Sequence, residues 1–444
     1  MSILDRIGKR VELDSYSRIG NMRFVFLAIL AGLFEPGIAA DIPAPRPAEN
    51  SLAVSIKSPL QRDEYLTTQV DKAADKFVNC LVRVHADGNI ERIFCTDPYD
   101  SPPRAIHRLR DYRDHNGKEW FFDTHIDKTG TSIAESCVLG ANRKVEHCFS
   151  MKWLDSHDVL FADNGDRIYM FYVPRVKQHV WISGKALDLV LRRVNSRDEV
   201  VWEWSSADHP VADVKEPPRK KGFISEVANY VKLVRTSILT SLGASGDPIC
   251  VPIMGRQKCV HMHWVDYLHA NSLAWDRDGG IIVSARHASE VFKVNYPDGN
   301  VAWIFGGYAA QHQDFKFLND PLNGFSFQHS AKILPNGNML MYDNGNGRPD
   351  QRSRAVEYKF DLDRRTAMLV WSHSAPEDFR YRDCCGGVQR LENGNTLIAW
   401  GGLGDKKITG SFPVASEVTA DGKIVFELRS NVPALPYRVW KIEK

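Results

Sequence analysis

One unit recurs along the chain, and such a repeat constrains the fold more than any single motif. An Asn/Asp-Gly turn flanked by strand-forming residues appears as ADNGDRIYMF around Gly165, DRDGGIIVSA around Gly279, LPNGNMLMYD around Gly337 and LENGNTLIAW around Gly394, at intervals of 114, 58 and 57 residues. Each is followed, after a variable gap, by a second polar turn and an aromatic-bearing strand: RVNSRDEVVWEW, KVNYPDGNVAWIF, DLDRRTAMLVWSH and EVTADGKIVFEL. Alternating apolar residues between Gly, Asn and Asp turns signal hairpins, and repetition at this period signals propeller blades. A small sheet cannot bury both of its faces alone, so copies must pack in a ring, with Trp202, Trp303 and Trp371 as packing residues between blades. With the irregular stretch 210–262 set aside, residues 76–444 hold between five and six units, and six is the better count. The expected fold is all-β, a six-bladed β-propeller with a partly helical insertion. CLVRVHADGNIERIFC and HNGKEWFFDTHIDKTG read as hairpins of degenerate early blades.

Outside the repeat, three segments stand apart. Phe24–Phe34 is apolar, follows Arg18 and Arg23, and precedes Gly37-Ile38-Ala39-Ala40. Eleven residues are too few to span a bilayer as a helix, so residues 1–40 read as a secretory signal peptide, with an uncleaved anchor as the alternative. Residues 41–75 begin Pro-rich and read as a linker or N-terminal extension, leaving 76–444 for the propeller. Within 210–262, SEVANYVKLVRTSILTSL carries apolar residues at helical spacing and reads as a helix packed on the rim, or as a lid or dimer contact. Export implies a periplasmic or secreted protein without a stable membrane span after cleavage, and its oligomeric state is left open.

The eight cysteines fall into four close pairs, Cys80 with Cys95, Cys137 with Cys148, Cys250 with Cys259, and Cys384 with Cys385. An even count in an oxidising compartment favours local disulfides. Adjacent cysteines close only a strained eight-membered ring, so the last pair is the weakest candidate and the most redox-labile. Lys plus Arg total 57 against 55 Asp plus Glu, a net charge of +2 that supplies no footprint for duplex nucleic acid. No Walker, Rossmann or GxSxG motif occurs, which argues against a nucleotide cofactor or a serine hydrolase. No cofactor is expected.

Aligned on the turn glycines, His157, Asn271, His329 and Gly386 each lie eight residues before their glycine, and His269 lies two before Asn271. Strand residues two apart share a face. If these segments are the innermost strands, the polar residues converge at one end of the central channel. Neutral imidazole serves as nucleophile or base, and Arg presents a fork that matches tetrahedral oxyanions. Arg286 and His287 follow one turn, and Arg348, Arg352 and Arg354 follow the next, so an anionic substrate is indicated. His261, His263, Asp266 and His269 offer a rival reading as metal ligands, because HxH on a strand projects both rings to one side.

HDVLFADNGD, DYLHANSLAW, SARHASEVFKVN, WIFGG, FQHSAKILPNGN, RAVEYKFD and GGVQRLENGNTLIAWG resemble the repeated motifs of the arylsulfotransferase family, over roughly Ser150 to Leu428. The resemblance implies a periplasmic six-bladed propeller. It also implies sulfuryl transfer from an aryl sulfate to a phenol through a histidine, without a nucleotide sulfate donor. It places His269, His329 and Arg354 at positions that hold the sulfuryl group, with His157 at the comparable spot of an earlier blade; together with the register above, His269, His329 and His157 become the catalytic candidates, and Arg354, Asn271, Arg286 and His287 the substrate-binding ones. The family's nucleophilic histidine comes from later in the propeller, where this chain has Gly386 and no histidine beyond His373. Either another histidine takes that role or transfer is absent. A non-catalytic propeller binding an anionic glycan or an envelope partner is the alternative that fold alone leaves open.

Overall fold

The repeated turn glycines set the local structure. Gly165, Gly279, Gly337 and Gly394 all sit at φ between +83° and +85°, a conformation only glycine adopts without strain. Each donates its N–H to the carbonyl three residues back, at 2.8–3.0 Å. In the computed structural model, the residues described are 52–56, 64–73, 76–85, 87, 89–95, 109–115, 118–126, 132–140, 142–176, 185–209, 211, 249–253, 256–260, 264–308, 310–377, 381–402, 411–430 and 437–442. They belong to one of two units, Ala48–Lys444; the other, Met1–Pro47, lies outside the described residues, as does the expected signal peptide.

Six antiparallel sheets form the blades. Blade 1 runs from Leu109–His115 to Val145–Phe149, blade 2 from Leu154–Phe161 to Val200–Ser205, and blade 3 from Ala270–Trp275 to Val301–Gly306. Blade 4 runs from His329–Ile333 to Thr366–Ser374, and Lys316–Leu318 adds a parallel fifth strand at its outer edge. In blade 5, Gly387–Arg390 is innermost, and the N-terminal strand Leu52–Ile56 pairs outermost against Ile424–Ser430. In blade 6 the C-terminal strand Val439–Ile442 is innermost and pairs with Glu64–Ala73, which continues to Lys76–His85 and Ile90–Cys95. The segment expected as a linker, 41–75, therefore supplies two blade strands. Neither end of the chain completes a blade alone, and closing the ring demands strands from both.

Between successive blades lies one apolar layer each, and the strands reflect this. In blade 3, Ile281 and Val283 pack with Met170, Leu189 and Trp204 of blade 2, while Ile282 turns the other way onto Met339 and Met341 of blade 4. Leu340 and Tyr342 in turn meet Ile398 and Trp400 of blade 5. Strands sandwiched on both faces read as continuous apolar runs. Tyr65, Val82 and Val84 of blade 6 pack on Leu397 and Phe426 of blade 5, and Leu66 and Leu81 on Phe121 of blade 1. Phe122 and Phe149 of blade 1 meet Tyr169 and Phe171 of blade 2. The blade tryptophans also stitch neighbours: Trp202 donates to the Pro297 carbonyl at 2.8 Å, and Trp371 to that of Ala420 at 3.2 Å.

Cys80–Cys95 and Cys137–Cys148 are disulfides joining neighbouring strands of blades 6 and 1. Cys250 and Cys259 are directly opposed in the hairpin Ile249–Ile253/Arg256–Val260. Cys384 and Cys385 are free thiols. The helix expected in 210–262 lies outside the described residues, and among those described no helix is long and apolar enough to cross a membrane.

Phe305 is fully buried between blades 3 and 4, with Phe315, Phe317, Phe325, Tyr358 and Phe360 all within 5.7 Å of its ring centroid. Truncating such a ring leaves a cavity that rigid neighbours do not fill. Phe305→Ala is expected to cost about 3–5 kcal/mol in urea unfolding; a loss below about 1 kcal/mol would show that the layer repacks.

Candidate active site

The in-register residues lie on the innermost strands of blades 2, 3 and 4, and the ring brings the histidines together. The rings of His157 and His269 meet edge to face, with centroids 5.0 Å apart, and His269 stacks on His287 at 4.4 Å. Tyr437, just ahead of the C-terminal strand, lies 5.7 Å from His157 and 6.2 Å from His329, linking the two ring to ring.

Each histidine is held through Nδ1. Asp155 accepts from the backbone N–H of His157 at 2.8 Å and bonds its Nδ1 at 2.7 Å. Asp266 does the same for His269, at 2.8 Å to the backbone and 2.5 Å to Nδ1. The Asp266 carbonyl takes the Nδ1–H of His287 at 2.7 Å, and Asn344 Oδ1 lies 2.7 Å from Nδ1 of His329. A hydrogen bond at one ring nitrogen decides what the other offers. For His269 that other nitrogen, Nε2, makes no hydrogen bond among the described residues. His269 itself sits at φ +46°, in the left-handed region where non-glycine residues are strained and functional sites concentrate. His329 differs: its Nε2 accepts the Cys385 N–H at 3.2 Å, so both nitrogens are engaged.

Burial dominates the electrostatics. It pushes His287 down to about 3, with the neighbouring His269 adding to the shift. His329 falls well below the usual range through burial and the Arg286 charge. For Asp266, burial acts upward but is outweighed by the charge of His269 and its hydrogen bonds, and the carboxyl is held well below its ordinary value. An ionised Asp behind His269 stabilises positive charge on that ring.

The arginines divide sharply. Arg354 is buried, with Nε on Asp343 at 2.8 Å and its other nitrogens on both oxygens of Asp320 at 2.9 and 3.0 Å. Arg348 donates to the same Asp343 at 2.6 Å. These guanidinium donors are consumed in a buried ionic knot and do not join the histidines. Arg286 instead donates to the Asp383 carbonyl at 2.7 Å and stacks on Phe327 at 4.9 Å. Among the described residues its buried Nε has no partner and no carboxylate pairs with it. Asn271 is fully buried and ties the Gln328 carbonyl at 2.8 Å, which makes it a brace between blades 3 and 4.

At the late position, Gly386 has φ +92°, and a Cβ there would fall 2.6 Å from the Tyr342 ring and 2.9 Å from the Ala399 carbonyl. No histidine fits at 386. His261 and His263 lie outside the described residues. Asp266, His269 and His287 each bring a potential metal-ligand atom within 4.8 Å of the others. The Asp266 oxygens, however, are committed to the His269 backbone and ring. Sequence reasoning missed the supports Asp155, Asn344 and Tyr437, of which only Asp155, two residues before His157, sits close enough in sequence to signal its role.

The arylsulfotransferase family model matches residues 111–438. The chain belongs to the arylsulfotransferase family. An arylsulfate sulfotransferase from Escherichia coli O6:H1 is 30% identical over 168 residues, spanning 31% of this chain and 28% of that protein. The match thus takes in well under a third of the curated relative. Among solved structures, a Bacteroides caccae protein of unknown function has a TM-score of 0.46 at 11% identity, covering 86% of this chain and all of that one. The periplasmic gluconolactonase of Pseudomonas aeruginosa has a TM-score of 0.40 at 11% identity, covering 86% and 99%.

His287 supplies a test of the electrostatics. An unfolded histidine takes its proton near about 6.5, whereas the folded ring does so only near about 3. The stabilisation from the neutral ring is therefore complete above about 6.5 and is lost as pH falls from there toward about 3. The His287 imidazole signals in NMR should stay those of the neutral ring from pH 8 down to pH 5; a midpoint near 6.5 would contradict the assignment.

Proposed function

We propose that the protein transfers a sulfuryl group from an aryl sulfate ester to a phenol through a covalent histidine intermediate, in the periplasm. The observation that carries the reading is the Asp266–His269 pair beside Arg286: among the described residues His269 Nε2 makes no hydrogen bond and no carboxylate pairs with the arginine. Sulfuryl transfer, like phosphoryl transfer, passes through a loose anionic state, so catalysis is mainly positioning and charge stabilisation.

His269 Nε2 attacks sulfur in line with the ester oxygen, the S–O bond breaks, and the phenolate leaves with the electron pair. Asp266 holds the Nδ1 proton and offsets the positive charge that grows on the ring. His157, at 5.0 Å, protonates the departing phenolate and then takes the proton of the incoming phenol, which attacks the sulfohistidine and regenerates His269. Arg286 binds the sulfuryl oxygens, and Phe327 and Tyr437 offer ring contacts to an aromatic substrate. His329 and Arg354 then serve as framework rather than as reacting groups. The periplasmic setting rests on the basic and apolar N-terminal pattern and on the disulfides of blades 1 and 6.

The test is a two-substrate assay with 4-nitrophenyl sulfate as donor and phenol as acceptor. A covalent intermediate predicts parallel double-reciprocal lines. His269→Ala should lower kcat by at least ~10³-fold, and His157→Ala by ~10²–10⁴-fold. Arg286→Ala should cost roughly 10²-fold or more in kcat/KM, with partial recovery in Arg286→Lys. Arg354→Ala should act on stability instead. Absence of turnover in the wild type, or full turnover in His269→Ala, would remove the proposal.

A further inference from the structure

Asp383-Cys384-Cys385-Gly386 leads into the innermost strand of blade 5, where the family's late histidine has no counterpart. Cys384 and Cys385 are the free thiols of the described residues, both half-buried and adjacent in the chain. The backbone around them supports two groups of the candidate site. The Cys385 N–H is the donor to His329 Nε2 at 3.2 Å. Asn344 closes this arrangement, meeting His329 Nδ1 through Oδ1 at 2.7 Å and donating through Nδ2 to the Cys385 carbonyl at 3.1 Å. One residue earlier, the Asp383 carbonyl accepts from Arg286 at 2.7 Å. Gly401 and Gly402 wall the opposite side: a Cβ on Gly401 would lie 2.5 Å from the Cys385 carbonyl carbon, and one on Gly402 2.7 Å from the Cys384 carbonyl oxygen.

A disulfide between adjacent cysteines closes an eight-membered ring made of both Cα atoms, both Cβ atoms, both sulfurs and the intervening peptide C and N. The nitrogen that donates to His329 is therefore itself a ring atom. Cys385 lies at φ +65°, and closing the ring resets the torsions on either side of that nitrogen. Adjacent Cα atoms are about 3.8 Å apart, below the usual disulfide span of about 4.4–6.8 Å, so the bond is strained and easily reduced. Strained, accessible disulfides are the labile, regulatory kind.

We propose that Cys384 and Cys385 form a redox-modification site whose vicinal disulfide withdraws the peptide N–H from His329 and displaces the carbonyl that orients Arg286. The oxidant is a small-molecule or protein disulfide. One cysteine thiolate attacks it, releasing a first thiol and leaving a mixed disulfide; the second displaces the remaining thiol. The protein dithiol loses two electrons and two protons, and the oxidant becomes two thiols. The loss of activity this entails rests on the sulfuryl-transfer reading, but the response of His329 does not.

The experiment uses the full chain, equilibrated with oxidised or reduced glutathione, with free thiols alkylated and the peptide between Arg382 and Arg390 weighed after trypsin. The His329 ring nitrogens are followed by ¹⁵N NMR. Oxidised glutathione should give a peptide lacking two hydrogens, a shifted His329 Nε2 signal and roughly tenfold slower aryl sulfate turnover, all reversed by dithiothreitol. Cys384→Ser keeps the peptide N–H and should show no redox response. Thiols that stay alkylatable, a mixed disulfide that never resolves, or a disulfide that leaves the His329 signal in place would overturn the proposal. If the disulfide forms and His329 responds in a protein without turnover, the site stands and the sulfuryl-transfer reading fails.

Discussion

The pairing of the C-terminal strand Val439–Ile442 with Glu64–Thr67 is the contact on which the remaining structure depends. Each blade exposes two apolar faces, and only a closed ring buries them all. The closing strand is secured by a buried set in which Lys441 meets Glu417 at 2.9 Å and the Tyr65 hydroxyl donates to the same carboxylate at 3.1 Å. Immediately before it come Tyr437 and Arg438. Arg438 reaches Asp158 at 3.4 Å and the Asn271 carbonyl at 2.7 Å, so the residues that end the ring also tie blades 2 and 3 at its axis. The strand that closes the ring is thus preceded by residues that contact His157, His329 and Asn271.

From that closure follows the division of labour among charged groups. At the candidate site, each imidazole is fixed by an anchor on its own or a neighbouring blade, and burial holds the pKa of His287 and His329 down. Arg354 and Arg348 have bound Asp320 and Asp343 so completely that they carry structure. Removing one partner from such a buried pair leaves an uncompensated charge, which costs more than the pair contributes. Arg286 differs from both: it donates to the Asp383 carbonyl and, among the described residues, no carboxylate pairs with it.

How much of this was legible in the sequence depends on how local the signal is. The blade period, the strand character and the in-register histidines were readable because Gly165, Gly279, Gly337 and Gly394 mark the same turn in each copy. The pairing of Cys80 with Cys95 and Cys137 with Cys148 was readable because hairpins bring such residues opposite one another. Arg354 illustrates what was not. Its match to a family motif says nothing of Asp320, 34 residues away, which occupies its guanidinium. Nor does any linear pattern announce that residues 52–73 complete two blades, or that Tyr437 comes to lie between His157 and His329. Those facts depend on ring closure, a contact between chain ends that leaves no periodic trace.

The covalent step is the most exposed part of the account. Wild-type protein mixed with an aryl sulfate in the absence of acceptor, quenched at alkaline pH and digested, should carry one added sulfuryl group on the peptide containing His269, in amounts matching a burst of released phenol. An adduct on any other residue, or a phenol burst with no adduct on the protein, would contradict it.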